Sequence, residues 1–418
     1  MNYPKPKLVS FRNEIKEIKN TSYITHSLYF HPAKFIPQIV RFCLNKYCIR
    51  KGTILDPFAG SGTAGLESSI LDYNSILLDI NPLLDFFYPI KIPEFTSNQL
   101  IKYKIEAIKI GKTLFENNNK KINRLLKLDQ KLQYWYPKYL YDYFENIWQK
   151  YHSHKKNNLI PYKIVALALF KVSKKYSFAE HSMPKLFISK RKRKFIDELD
   201  KKSIFEKIKQ EYKIEIEKIT KLVNNVLTKY KLTGKITYYS GVDSYSFDYK
   251  KLPKYDCIIT SPPYLQAQEY IRTFKLEMLW LGYSTNKINS FSTNEIPFRK
   301  PEGLIEGNYI NKIRSKLDDK HLISLFDSYF WFTVKALEKA SKKLKKGGKI
   351  CILIGNPKME GLEIEIWKVI YEYFVYTLDY KLVNLYDDHI VSRKLFKGRN
   401  NGNPDGMKSE FLLVLNKE

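Results

Sequence analysis

Apolar residues along the chain follow two rhythms. Short apolar runs bounded by Gly, Pro, Asn and Asp occur as KGTILDPF and NSILLDI in the first 90 residues. They return as KITYYSG, YDCIITS, KICILIG, KLVNLY and FLLVLN from about residue 235 onward. Runs of this length with such punctuation predict strands, the first two of them buried, and helical stretches between them predict a mostly parallel α/β sheet. Between about 91 and 234 the strand rhythm gives way to Lys-rich helical patterning. There Phe205, Ile208, Tyr212, Ile219, Leu222, Val226 and Tyr230 recur at spacings of three, four and seven, predicting one amphipathic helix of about 30 residues. Its stripe is expected to pack within the segment, with a coiled-coil contact to a partner as the other reading. The simplest organisation is an α/β domain made of 1–90 and 235–418, interrupted by a helical insertion over 91–234.

Composition narrows the class. The chain has 418 residues, 44% hydrophobic and 28% charged, a globular balance with room for a large core. Its 72 basic residues against 43 acidic ones give a formal charge of +29. A/T-rich codon usage accounts for part of the lysine, but an excess of this size points to a polyanionic partner, nucleic acid first. Cys43, Cys48, Cys257 and Cys351 form no CxxC pair and have no histidine cluster nearby, so neither a metal site nor a disulfide framework is expected, and a reducing cytoplasm fits. MNYPKPKLVSF lacks the apolar core of a signal peptide, and IVALALF at 164–170 is too short to span a bilayer, so no membrane association is expected.

Two segments carry candidate chemistry. In ILDPFAGSGTAGLE, at 54–67, Gly60, Gly62 and Gly65 fit G-x-G-x-x-G at the junction of a strand and a helix. Taken alone, that pattern serves a dinucleotide as well as other cofactors. The flanking acids sharpen it: Asp56 can meet the cationic amino group of a methionine moiety and would repel a pyrophosphate. Asp79, closing the second strand, can accept both hydroxyls of an adenosine ribose. The plainer reading is that both acids cap the helices that follow. Asp243 and Ser244, after the third strand, are candidates for the adenine amino group, although turns use the same residues.

The second segment is DCIITSPPYLQ at 256–266, a buried strand running into Ser261, Pro262, Pro263 and Tyr264. Two prolines fix the backbone and remove two donors, leaving carbonyls free to accept. An exocyclic amine has two N–H donors, which the Ser261 hydroxyl and the Pro262 carbonyl can take. Tyr264 can stack on a base that has left the double helix.

DPFAGSGT at 56–63 together with SPPY at 261–264 resembles the amino-methyltransferase family of bacterial DNA methylases. HSLYFHPAKFIPQIVRF at 26–42 is similar to the family segment that precedes the cofactor loop and closes over the methionine end. LKKGGKICILIGNP at 344–357 and SRKLFKGRNNGNPDGMKSEFLLVLN at 392–416 resemble its later strand and last hairpin. The resemblance covers roughly 1–90 and 235–418. It implies a Rossmann-like sheet, mostly parallel with a C-terminal antiparallel hairpin, S-adenosyl-L-methionine as methyl donor, double-stranded DNA as substrate, and direct transfer without a covalent intermediate. No cysteine follows a proline, so the Pro-Cys nucleophile of cytosine C5 methylases is absent. It also implies cofactor contacts from Tyr29, Phe30, Lys34, Asp56, Pro57, Phe58, Gly60, Ser61, Gly62, Thr63 and Asp79. Serine opening the tetrad is usual for cytosine N4, while Asn or Asp is usual for adenine N6. The order here, cofactor loop before tetrad, departs from the better-known serine-bearing members. A restriction–modification or defence setting, with a cognate endonuclease acting separately, follows from the same likeness. Adenine N6, an RNA amine, and a non-catalytic DNA-binding subunit are the alternatives.

For the target, the insertion is the expected reader. Lys190, Arg191, Lys192, Arg193 and Lys194 form a basic run suited to phosphates or simply to solvent. QEYIRTFKLEMLWLGY at 268–283 predicts a helix on which Arg272 reads a base or anchors a phosphate, unless the helix faces the core with its own ion pairs. STNEIPFRKPEGLIEGN at 292–308 has the composition of a mobile lid.

Overall fold

The seven apolar runs named above all become strands of one sheet in a computed structural model, which describes residues 2–29, 35–116, 126–154, 159–180, 186–265, 269–389 and 409–418. The strands are β1 (Lys7–Val9), β2 (Thr53–Asp56), β3 (Asn74–Asp79), β4 (Ile236–Ser240), β5 (Tyr255–Thr260), β6 (Leu344–Gly355), the small hairpin β7 (Lys358–Met359) and β8 (Leu362–Glu363), then β9 (Lys381–His389) and β10 (Ser409–Asn416). The main sheet runs β1-β9-β10-β6-β5-β2-β3-β4 among the described residues. Neighbours are parallel except β10, which is antiparallel to both β6 and β9. This is a Rossmann-like sheet closed by a C-terminal hairpin.

Continuous apolar strands need cover on both faces, and the side chains alternate accordingly. On one face Leu55, Ile258, Ile350, Ile352 and Leu413 join a core under the Lys320–Ser341 and Ile366–Glu372 helices. On the other, Ile54, Cys257, Ile259, Cys351 and Val414 pack with the Pro37–Tyr47 helix. All four cysteines are free thiols.

Between β3 and β4 the described chain is helical: Leu84–Lys91, Ser97–Phe115, Lys138–Ser153, Ile160–Lys175, Lys190–Asp197 and Ile204–Lys229. In the last of these Ile208, Tyr212, Ile216, Ile219, Val223 and Val226 are buried, and the Phe115 ring packs against Tyr212 with centroids 5.0 Å apart. The stripe therefore faces its own segment. That core also runs without a break into Leu77 on β3 and into Phe274 and Trp280 downstream of the tetrad. Among the described residues no helix is long and apolar enough to cross a membrane.

The expected helix over 268–283 is instead two short ones, Tyr270–Thr273 and Lys275–Trp280. The chain turns so that Trp280 can bury completely, stacked on Trp148 at 5.9 Å with its Nε1 donating to the Tyr136 hydroxyl at 2.8 Å. This tryptophan ties the post-tetrad segment to the helical one. Trp280→Ala is expected to cost about 3–5 kcal/mol of stability in urea unfolding; a loss below about 1 kcal/mol would show that the two segments are held together elsewhere.

Candidate cofactor and base site

In an open α/β sheet, ligands bind where the strand order reverses, beyond the carboxyl ends. Here that point lies between β2, whose chain continues outward to β3, and β5 on its other side. Asp56 ends β2 there, 1% exposed. Its Oδ1 accepts the Thr260 hydroxyl at 2.7 Å and the Phe58 N–H at 3.1 Å. Burial pushes the carboxyl up to about 7. The loop then turns through Gly60 (φ 50°) and Gly62 (φ 73°), both left-handed, and a Cβ on Gly62 would stand 2.6 Å from the Tyr88 ring. Only glycine suits that position. The Tyr88 hydroxyl donates to the Gly60 carbonyl at 3.0 Å and the Lys91 ammonium to the Ser61 carbonyl at 2.5 Å, while the Ser61 and Thr63 hydroxyls lie 3.2 Å apart. Neither Tyr88 nor Lys91 is visible as a site residue in the sequence, because both come from a helix that follows the next strand.

Asp79 ends β3 and accepts the Gly60 N–H at 2.8 Å and the Asn81 N–H at 2.9 Å, with burial pushing its carboxyl up. Asp243 and Ser244 lie in the same crevice but are already engaged. The Ser244 hydroxyl donates to the Pro57 carbonyl, locking the cofactor loop to the turn after β4. Arg299 grips both oxygens of Asp243, at 2.7 and 3.1 Å. Burial alone would raise the Asp243 carboxyl, but the guanidinium outweighs it and holds it below the usual range. A ligand amine there must share the carboxylate with Arg299.

That contact also docks the stretch expected to be a mobile lid. Arg299 lies over the Phe332 ring at 4.3 Å, the Tyr245 hydroxyl bonds Glu302 at 2.5 Å, and the buried Glu295 accepts the Ile271 N–H at 2.9 Å. The polar groups of the 292–308 stretch make these bonds in this conformation.

Ser261, Pro262, Pro263 and Tyr264 leave β5 directly beside Asp56, brought there by the Thr260 bond. Tyr264 is half-buried and donates to Glu410 on β10 at 2.6 Å. On the other side of the loop, Glu67 is fully buried and joins His26 at 2.7 Å, Arg41 at 2.5 Å and the Tyr23 hydroxyl. Burial pushes its carboxyl up, but these partners together hold it below the usual range. The hub fastens residues 23–26 to the helix that starts at the cofactor loop. Tyr29 lines a cavity of about 20 Å³ with Ser61 and Lys91, and its hydroxyl goes to Glu277 at 2.7 Å. Phe30 and Lys34 lie outside the described residues.

The basic run divides by helical periodicity. Lys192 is buried and donates to the Lys175 carbonyl at 2.5 Å, and burial brings its amine down to about 8. It is a buttress at a helix end, which corrects its expected place on a phosphate. Arg191 pairs with Glu180 at 2.6 Å, and Lys190, Arg193 and Lys194 are exposed. Arg272 lies elsewhere, in a cleft of about 290 Å³ lined also by Trp135, Glu269, Lys275 and Asn289. Its guanidinium bonds Glu269 at 2.7 Å and stays partly exposed. The Lys275 amine is lowered by burial first, then by the like charges of Lys131 and Arg272. An anion would relieve that crowding.

A glycine loop between β2 and its helix, a buried acid ending β2 and a half-buried one ending β3, and an antiparallel β10 lodged between β6 and β9 fit a methyltransferase that uses S-adenosyl-L-methionine. Residues 9–84 match the family model N6_N4_Mtase, described as DNA methylase. The chain is 23% identical over 414 residues to the Type II methyltransferase M.BsoBI of Geobacillus stearothermophilus, covering 85% of this chain and 77% of that one. It is 24% identical over 357 residues to the Type II methyltransferase M.AvaI of a Nostoc species, covering 75% and 70%. A shorter match, 28% over 103 residues, links it to the Type II methyltransferase M.MjaII of Methanocaldococcus jannaschii, covering 25% of this chain and 19% of that one. The chain is thus similar, over most of its length, to DNA amino-methyltransferases.

The residues present fit the donor. Its methionine end carries an ammonium and its ribose two hydroxyls; buried Asp56 and half-buried Asp79, at adjacent strand ends, are acceptors that would suit them, and the donor would supply an electrophilic methyl carbon. A carboxyl raised by burial ionises more readily beside a cation. Cofactor affinity is thus expected to fall roughly tenfold per pH unit below about 7 and to level off above it, with proton release on binding. Calorimetry in two buffers of different ionisation enthalpy reads both. Asp56→Ala should weaken binding and abolish the pH dependence; unchanged affinity would remove Asp56 from the site.

Proposed function

We propose that the protein transfers a methyl group from S-adenosyl-L-methionine to cytosine N4 of a base flipped out of double-stranded DNA, as the methylating half of a restriction–modification or defence system. The observation that carries the reading is the Thr260–Asp56 hydrogen bond at 2.7 Å, which sets the start of the tetrad beside the cofactor loop. The Ser261 hydroxyl and Pro262 carbonyl accept hydrogen bonds from the two amine N–H groups, directing the nitrogen lone pair toward the methyl carbon; the thioether leaves as the N–C bond forms, and one amine proton is then lost to solvent. Tyr264 stacks on the base and returns part of the few kcal/mol that unstacking costs. Serine at the first tetrad position favours cytosine. Adenine N6 is the second reading, favoured by the chain order, in which the tetrad follows the cofactor loop. The helical segment over 91–234 serves as the target reader, a cognate endonuclease acts separately, and the protein works in the bacterial cytoplasm.

Nucleoside mass spectrometry of unmethylated bacterial DNA, after incubation with the protein and isotope-labelled donor, tests the reading. Labelled N4-methylcytosine is expected; labelled N6-methyladenine would overturn the base alone, and label appearing only in an RNA sample run in parallel would overturn the substrate.

DNA binding should weaken steeply with salt, log K falling by about 0.9 per phosphate neutralised. Lys275→Ala and Arg272→Ala are each expected to reduce that slope by about 1. Lys192→Ala should leave the slope unchanged and lower the thermal unfolding temperature instead. Equal slopes in all three variants would remove the Arg272 cleft from the DNA path.

A further inference from the structure

The tetrad tyrosine is held from a distant part of the chain. Tyr264 follows the end of β5, whereas Glu410 is the second residue of β10, two strands away across β6. The phenol donates to Glu410 Oε1 at 2.6 Å. In register, Glu410 stands opposite Gly355 on β6, a residue with no side chain to come between them. Glu410 is only 6% exposed, and a buried carboxylate persists where its acceptors are used. A hydrogen bond to a charged acceptor is roughly twice as strong as a neutral one. Stacking on a base needs only the ring, which phenylalanine would supply equally. The hydroxyl therefore has another task.

We propose that Glu410 is a positioning residue that fixes the Tyr264 ring, before DNA arrives, at the orientation from which it stacks on the extruded base. This rests on the reading of Tyr264 as the stacking residue. A ring already ordered loses less freedom when the base arrives, and a misplacement of about 1 Å at a reacting centre can cost about a hundredfold in rate. On this proposal Glu410 influences the extruded base through the Tyr264 hydroxyl, so the effects on transfer of removing either partner are shared and do not multiply.

The test is single-turnover methyl transfer to unmethylated bacterial chromosomal DNA with labelled donor. Tyr264→Phe and Glu410→Ala are each expected to slow transfer about tenfold, with the double variant no slower than either alone. Donor affinity by calorimetry should stay unchanged in all three, and Glu410→Gln, which keeps an oxygen acceptor, should recover most of the rate. Multiplied losses in the double variant, or a wild-type rate in Tyr264→Phe, would overturn the proposal. If Glu410→Ala does not fold, Tyr264→Phe compared with Glu410→Gln decides: a slowed Phe variant beside a near-normal Gln variant supports the anchor, and equal rates overturn it. Tyr264→Ala separates the two readings. A wild-type rate there removes the stacking role itself, whereas an inactive Ala variant beside a wild-type Phe variant keeps stacking and rejects the anchor.

Discussion

A carboxylate buried at the parting of two parallel strands costs several kcal/mol unless its charge is answered, and Asp56 stands at that point with 1% of its surface exposed. One of its oxygens takes the Thr260 hydroxyl and the Phe58 N–H. The first bond orients the chain that becomes the tetrad; the second shapes the glycine loop. The glycine loop and the start of the tetrad are thereby referred to a single atom. The charge that burial disfavours on Asp56 in the free protein is one that a ligand cation beside it would stabilise.

Around that point the structure is braced from segments far apart in the chain. Glu67 gathers His26, Arg41 and Tyr23, fastening the stretch before β2 to the helix after it. Ser244 holds the Pro57 carbonyl, and Arg299 holds Asp243. Tyr264 is held through Glu410 on the last strand. Each tie joins an element that carries the site to one that does not. The site is thus rigid in those directions, as differential binding of a transition state requires.

The positive charge is distributed with equal selectivity. Within the basic run 190–194, one lysine is consumed as a helix buttress and one arginine as a partner for Glu180, leaving three side chains in solvent. The crowded cations are instead Arg272 and Lys275, in the cleft where the helical segment meets the chain just after the tetrad, with Lys131 close enough to act on Lys275. A charge run in sequence and a charge cluster in space are different objects, and a phosphate responds to the second.

All seven of the main strands expected, the glycine loop, the two acids at strand ends and the tetrad were legible in the sequence. Each is written in consecutive residues: a buried strand needs an uninterrupted apolar run, a left-handed turn needs glycine, and the tetrad needs two adjacent prolines. The long helix showed itself in the same way, through Ile208, Tyr212, Ile219 and Val226. Three things were decided only by the tertiary structure. Lys192 turns inward because 3.6-residue periodicity sets it on the buried face with Ile196. The 292–308 stretch is docked because its polar groups find Asp243, Tyr245 and the Ile271 N–H. Tyr88, Lys91, Glu67, Thr260, Arg299 and Glu410 enter the site by crossing from one element to another. A local pattern records what a residue needs of its neighbours in sequence; which charge a carboxylate meets across the sheet is set by strand order and register, and those exist only once the chain has folded.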